Sequence, residues 1–389
     1  SQVLNLVTFV VTQLAMGITV LIARYLGEKR EDQIGSIIGG GTVVFAAISL
    51  VLFVIMVGFA RPIAVLMQAP EEAVGLTVAY IRICGAGIFF IVAYNVLSAI
   101  FRGLGDSNSP LLFVFVACIV NVVGDLVLVA GLGMDAMGAA LATVFAQALS
   151  VVFAIVRLVK KGLPFTITGY DFRWNPQCGK FLQIGLPLAL QECLTQGSFL
   201  ALCAFVNRLG LEASSGYGVA CKIVNFAMLI PSALMQSTSS FVSQNVGAGE
   251  QKRAKKTMFT GIGIGLLVGC FAFSLVFFRG DLLAGIFSAD AAVVQRGYEY
   301  LKGFAPETLL TAVLFSMMGY FNGNGKTVWV MLQGLIQTLL VRLPFAYYMS
   351  IQPDASLTNI GLAAPISTAV GIVLNVAFFL YLEHAAKRS

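Results

Sequence analysis

Runs of about twenty apolar residues, separated by short clusters of charge, glycine and proline, recur along the whole chain. A run of that length crosses the hydrocarbon core of a bilayer as one helix. The pattern predicts eleven spans, over residues 3–24, 37–59, 75–100, 110–130, 136–158, 180–207, 214–245, 257–278, 294–320, 328–349 and 360–382. The short alternating segments of a transmembrane β-barrel are not what the pattern shows. Connections are brief except for 159–179, where Lys160, Lys161, Pro164, Gly169, Arg173, Trp174 and Pro176 break the apolar rhythm. That stretch reads as a linker between two halves.

Few polar residues interrupt the spans, so each asks for a reason. Val114–Ala130 reads VFVACIVNVVGDLVLVA, with Asn121 and Asp125 four residues apart. On a helix both fall on one face, about 6 Å apart along the axis. A carboxylate at that depth costs at least about 2.5 kcal/mol, so it should face a partner, a cavity or a cation and not lipid. The next span runs back, and Thr143 lies at similar depth, with Ala139 one turn away. A carboxylate, an amide, a hydroxyl and the Ala139 carbonyl form a set of hard oxygen ligands suited to a small hard cation. The plainer alternative is hydrogen bonding between helices. Such contacts average about 0.6 kcal/mol, which argues against an ionisable group for the task. The pattern leaves both Na+ and H+ open as the bound species.

Composition agrees with the spans. Of 389 residues, 58% are hydrophobic and 11% charged, and the mean hydropathy is +0.90. The net charge of +6 does not signal nucleic acid, because the cations sit in short loops where they set topology. By count, about 16 of the 24 Lys and Arg fall on one side, in loops such as Gly27-Glu28-Lys29-Arg30 and Lys252-Arg253-Ala254-Lys255-Lys256. That side, which includes the C-terminal tail, is predicted to be cytoplasmic. The opposite loops are read as holding Arg61, Arg208, Arg279 and Arg296. His384 is the single histidine and the seven cysteines show no zinc-ligand spacing, so imidazole catalysis within the membrane, a metal centre and a disulfide framework are not expected.

The halves repeat at a constant offset of 220. Gly27 pairs with Gly247, Gly103 with Gly323 and Gly105 with Gly325, each at the same loop position on the same side. Same-side partners imply a parallel repeat about an axis along the membrane normal. Gly103-Leu104-Gly105-Asp106 lacks the strand and the Lys-Ser/Thr of a phosphate loop. It reads as a tight turn with glycine at positive φ. The span 180–207 has no partner in the first half. By repeat logic the partner would precede residue 1, so the chain is expected to lack a first helix.

Several stretches, in order, resemble the multidrug and toxin extrusion (MATE) transporters: GITVLIARYLGEKRE, FRGLGDSNSP, GLPLALQECL, IPSALMQSTSSFVSQNVGAGEQKRAKK and GYFNGNGKT. GLPLALQE is similar to the DinF-like bacterial branch. The resemblance implies an all-α membrane protein with two pseudo-symmetric six-helix lobes, of which eleven of twelve helices are present. The domains are then an N-lobe over 1–158, a cytoplasmic linker over 159–179 and a C-lobe over 180–389. It further implies a central cavity and export of organic, often cationic, compounds in exchange for Na+ or H+. Asn121 and Asp125 match the Asn-x-x-x-Asp pattern of the family's N-lobe cation site, and Thr143 fits by spacing.

The second half offers further polar candidates: Glu192, Gln191, Lys222, Met228, Gln236, Glu307, Gln333 and Arg342. Pro306 should kink its helix and release a carbonyl beside Glu307. The acids could draw a cationic substrate or carry protons. Alternatively, Glu192 pairs with Lys222, and Glu307 or Glu299 pairs with Arg342. Met228 is more ordinarily core than drug-binding wall, although adaptable Met surfaces suit varied ligands. The expectation is an antiporter, not an enzyme. It needs no cofactor beyond a coupling ion and acts as a monomer on small organic molecules in a bacterial inner membrane. A lipid-linked oligosaccharide flippase of the same superfamily is the first alternative. An intramembrane transferase is the second, and it would need a His or paired-acid cluster that the spans do not supply.

Overall fold

The computed structural model describes residues 2–66, 74–161 and 166–387. Nine described helices are long and apolar enough to cross a membrane, and two bent helix pairs bring the number to eleven. All eleven coincide with the expected spans. With no water in the bilayer core, each span must close its own backbone hydrogen bonds, and only helix does so within one segment.

The first unit, residues 1–189, contains α1 (Gln2–Gly27), α2 (Ile34–Gly58), α3 (Ala60–Leu66), α4 (Val74–Ala86), α5 (Ile88–Gly103), α6 (Asn108–Asp125), a π-helical turn (Leu126–Gly131) and α7 (Asp135–Lys161). It also contains the start of α8 (Pro176–Asn207). The second unit, 190–389, continues with α9 (Leu211–Gly247), α10 (Gln251–Phe287), α11 (Ala291–Phe304), α12 (Glu307–Gly323), α13 (Thr327–Leu335), a second π segment (Ile336–Arg342), α14 (Leu343–Ser350), α15 (Leu357–Gly361) and α16 (Ala363–Ala386). Each unit has its own apolar core. Leu14, Ile18, Ile22, Ile88 and Phe181 centre the first; Val206, Tyr217, Tyr300, Phe304 and Ile360 centre the second. Large apolar side chains such as Phe115, Leu126, Leu267 and Phe271 point outward. On a spanning helix that surface is solvated by lipid, so it carries no penalty.

The repeat is present in the backbone, hydrogen bond by hydrogen bond. Arg30 N–H donates to Tyr25 O and Glu250 N–H to Asn245 O; Asp106 N–H donates to Phe101 O and Lys326 N–H to Phe321 O. These are six-residue closures that end a helix through a left-handed residue. That residue is Lys29 or Gly249 in one pair of turns, and Gly105 or Gly325 in the other, with φ from 57° to 78°. Gly103 and Gly323 serve differently. A Cβ on Gly103 would stand 2.9 Å from Ile22 Cβ, and one on Gly323 would stand 2.7 Å from Ser239 O. They permit close helix approach, and only the second glycine of each turn needs positive φ. The broken spans repeat too: α4 and α5 meet at 52° around Gly87, and α11 and α12 at 48° around Pro306.

Three details depart from expectation. Arg279 is not in a loop but at a non-helical break inside α10. Arg61 and Arg296 lie in α3 and α11. Helix α9 has 37 residues, about 55 Å at 1.5 Å per residue, and so extends past the hydrocarbon; the span expected over 257–278 runs on in α10 back to Gln251 and, beyond the break at Arg279, to Phe287.

The segment 166–178 lies along α2. Asp171 Oδ1 accepts from Ser36 Oγ at 2.8 Å, and Asn175 Nδ2 donates to Ser36 O at 2.9 Å. Gln177 Nε2 donates to Gln33 at 2.9 Å. The approach requires glycine at 39, where a Cβ would strike the Asp171 backbone. Thr168 closes the turn, with its N–H donating to Asp171 Oδ2 at 2.8 Å and its Oγ1 at 3.0 Å.

The Thr168 backbone N–H, helped by the Ser36 and Thr168 hydroxyls, holds the Asp171 carboxyl below the usual carboxylate range. A folded value below the unfolded one stabilises the fold above the ordinary value near 3.9 and loses that contribution as pH falls through the folded value. Thermal unfolding in detergent is therefore expected to show wild type more stable than Asp171→Asn at pH 7, with the gap closing below about pH 4. Parallel curves for the two proteins would remove Asp171 as the anchor.

Candidate functional site

In the first unit, α6 and α7 pack closely enough for their polar residues to meet. A Cβ on Gly124 would come within 2.8 Å of the Ala142 methyl, so the glycine next to Asp125 sets the approach. Asn121 Nδ2 donates to Thr143 Oγ1 at 3.3 Å. The Thr143 hydroxyl in turn donates to Ala139 O at 2.9 Å. Each bond uses one acceptor lone pair, so Thr143 Oγ1 keeps its second, whereas the Ala139 carbonyl already serves both the Thr143 hydroxyl and the α7 backbone ladder. Asp125 lies at the last position of α6. Its Oδ1 is buried and has no hydrogen-bond partner. A buried unpaired carboxylate oxygen is costly, and such an exception marks a place for a proton or an ion.

Two features here were not visible in the hydropathy pattern. The helix changes from α to π immediately after Asp125, over Leu126–Gly131. π turns are rare and recur at functional positions. Tyr80 on α4 lies within electrostatic reach of Asp125 and of Cys84 one turn along. A tyrosine in an apolar span could have drawn notice as a polar tip, but nothing in the sequence places it beside Asp125. Among the described residues, no cluster of three or more His, Cys, Asp or Glu could hold a metal.

In the second unit the structure gathers Glu307, Arg342, Gln333 and Gln191. Glu307 opens α12 directly after Pro306, and Arg342 closes the second π segment. Both are buried, with 4% and 8% exposure. Glu307 Oε1 stands 3.8 Å from Arg342 Nη2 and accepts from Thr368 Oγ1 at 2.8 Å. Gln337 Nε2 donates to Thr368 at 3.0 Å, and Gln333 Nε2 donates to Gln337 Oε1 at 2.6 Å. Arg342 Nε donates to Ser367 Oγ at 3.2 Å. Gly371 permits this packing, because a Cβ there would lie 2.6 Å from both glutamine amides. Glu307 Oε2 and Gln333 Oε1 remain buried without hydrogen-bond partners. The Gln191 amide packs on Gly334, where a Cβ would meet its Nε2 at 2.5 Å.

Of the two partners proposed for Arg342, the structure selects Glu307. Glu299 pairs instead with Arg296 at 3.1 Å. Glu192 Oε1 accepts from Gln196 at 2.7 Å, and Lys222 lies 5.6 Å from the Phe287 ring centre. Met228 packs partly buried against the apolar core, and Gln236 is half-buried.

A polytopic helical membrane protein built on two repeats, with a half-buried polar cluster beside a π turn in the first and a buried one in the second, is the class these observations define. The family model MatE matches residues 1–127 and 187–348. A Bacillus subtilis protein described as "Probable multidrug resistance protein YpnP" is 27% identical over 286 residues, which cover 73% of this chain and 64% of that relative. "Multidrug export protein MepA" of Staphylococcus aureus is 26% identical over 333 residues, covering 82% and 72%. Among solved structures, an outward-facing multidrug resistance MATE family transporter of the MOP superfamily aligns with a TM-score of 0.93 at 20% identity, over 99% of this chain and 86% of that one. A MOP superfamily transporter from Pyrococcus furiosus Vc1 aligns at 0.91 and 21%, over 99% and 86%. The chain belongs to the MatE family and has the MATE transporter fold.

Removing one member of a buried ion pair strands the other, at about 3–5 kcal/mol, whereas replacing both by apolar residues is often close to neutral. Glu307→Leu is therefore expected to lower stability by that amount, and Glu307→Leu with Arg342→Met to recover most of it. Thermal unfolding in detergent reads the difference; simple additivity of the two losses would show that the residues are not coupled.

Proposed function

We propose that this chain is a secondary-active antiporter that exports organic, often cationic, compounds in exchange for Na+ or H+. The observation that carries the reading is Asp125, a spanning-helix carboxylate with a buried, unpartnered oxygen beside Asn121, Thr143 and the Ala139 carbonyl. A partnerless buried oxygen is stable only if a proton or cation is present for part of the cycle. In this reading ion binding at Asp125 favours one conformation and substrate favours another, since coupling requires opposite preferences. The names carried by YpnP and MepA support multidrug export. Loop charges support a multi-pass location in a bacterial cytoplasmic membrane with the C-terminus inside. The chain is read as a monomer with an N-lobe over 1–158 and a C-lobe over 180–389, joined by the segment 159–179. Glu307, Gln333, Gln191, Glu192, Gln236, Lys222 and Met228 are assigned to substrate-side chemistry, with Arg342 neutralised by Glu307. That neutralisation speaks against the flippase alternative, which calls for unpaired cations toward an anionic lipid-linked sugar.

The test is efflux of a fluorescent lipophilic cation from proteoliposomes, under an imposed Na+ gradient and then an imposed pH gradient. The expected outcome is gradient-driven efflux by the wild type and background efflux by Asp125→Asn, which retains the fold. Undiminished efflux by that variant would refute the assignment.

A further inference from the structure

One helix face carries a feature that drug export does not use. Phe153, Val156, Arg157 and Lys160 line a groove of about 390 Å³ at the C-terminal end of α7. Their spacing of three, four and seven residues places them on a single face. Val156 and Phe153 are exposed, with large apolar surface open to the outside of a spanning helix. The floor is rigid: Phe153 packs edge-on against Phe113 at 6.0 Å, and Phe113 against Phe101 at 5.3 Å. Phe113 and Phe101 are wholly buried.

The polar end of the groove is equally fixed. Arg157 Nε donates to Ser109 Oγ at 3.0 Å. The Ser109 hydroxyl donates to Asp106 Oδ2 at 2.7 Å, and its N–H to Oδ1 at 3.0 Å. This relay anchors the guanidinium through Nε and does not involve Nη1 or Nη2. Lys160 stands one turn beyond. Neither cation makes an ion pair with a carboxylate among the described residues. A planar fork beside a point charge is the donor arrangement that suits phosphate.

We propose that this groove is a binding site for one anionic phospholipid of the surrounding bilayer, of the phosphatidylglycerol type. The phosphodiester lies between Arg157 and Lys160, and an acyl chain runs down over Val156 and Phe153. Lipid is the occupant because the same four residues present apolar wall and cation in the order in which a lipid presents chain and phosphate. Lipid also already bathes this face of a spanning helix. The negative end of the α7 dipole opposes an anion here, so the two side-chain cations carry the attraction.

Native mass spectrometry of the full chain tests the site, with phosphatidylglycerol titrated against phosphatidylcholine of the same acyl chains. One tightly held phosphatidylglycerol is expected, with no matching phosphatidylcholine adduct. Each cation near the surface contributes about a fivefold change in affinity. Lys160→Gln is thus expected to weaken binding about fivefold, and Arg157→Gln with Lys160→Gln about thirtyfold. Lys160→Gln removes no described intramolecular bond, so its loss of lipid cannot be put down to misfolding. Equal phosphatidylglycerol retention by the double variant, or equal binding of phosphatidylcholine, would overturn the site. Displacement by excess inorganic phosphate would overturn the lipid assignment and leave an anion site. None of these outcomes depends on whether drugs are exported, because no transport is measured.

Discussion

The absence of water from the bilayer core governs this protein. Every backbone N–H and C=O in a span must be closed within the chain, and every ionisable side chain must find a partner or accept an ion. The eleven spans follow from the first requirement. The second explains why so few polar residues lie deep in the chain and why those few are clustered. Where the helices break, at Gly87 and around Pro306, the broken ends sit inside packed units. There, neighbouring helices can satisfy what the break exposes.

Against that constraint, the two units solve the problem of a buried acid in different ways. The second unit gives Glu307 Oε1 the Arg342 guanidinium at 3.8 Å and the Thr368 hydroxyl, and leaves Oε2 buried without a hydrogen-bond partner. The first unit leaves one oxygen of Asp125 without a partner and places only neutral oxygens and an amide nearby. The difference is the counter-charge: Glu307 has Arg342 beside it, whereas Asp125 has no ion pair among the described residues. Both clusters sit beside a π turn, which adds a residue to the helix and redirects the side chains on either side of it. The repeat has kept its turns nearly bond for bond while the chemistry of the two halves has diverged.

Much of the fold was legible in the sequence, for a physical reason: a spanning helix has to be apolar over about twenty residues, and that signal is strong. The kink near Glu307 was legible from Pro306, and the parallel repeat from glycine pairs at one offset. The meeting of Asn121 with Thr143 was legible because polar residues in apolar spans are expensive. What was not legible has equally specific causes. Gly87 breaks its span without a proline to announce it. The start of α10, Gln251–Lys256, is polar, which makes it look like a loop. Arg279 interrupts a helix that hydropathy had ended. Tyr80 and the choice of Glu307 over Glu299 as partner of Arg342 depend on which helices are neighbours, and one chain without its three-dimensional packing does not encode that in any local pattern.

The central claim is that the Asp125 carboxylate exchanges a proton or cation within the membrane. Infrared difference spectroscopy of the reconstituted protein observes that group directly, by comparing samples with and without Na+ and across a pH series. The account predicts a carboxyl C=O or carboxylate band that changes on Na+ addition or pH change in the wild type and is missing from Asp125→Asn. The same band, with the same response, in Asp125→Asn would contradict it.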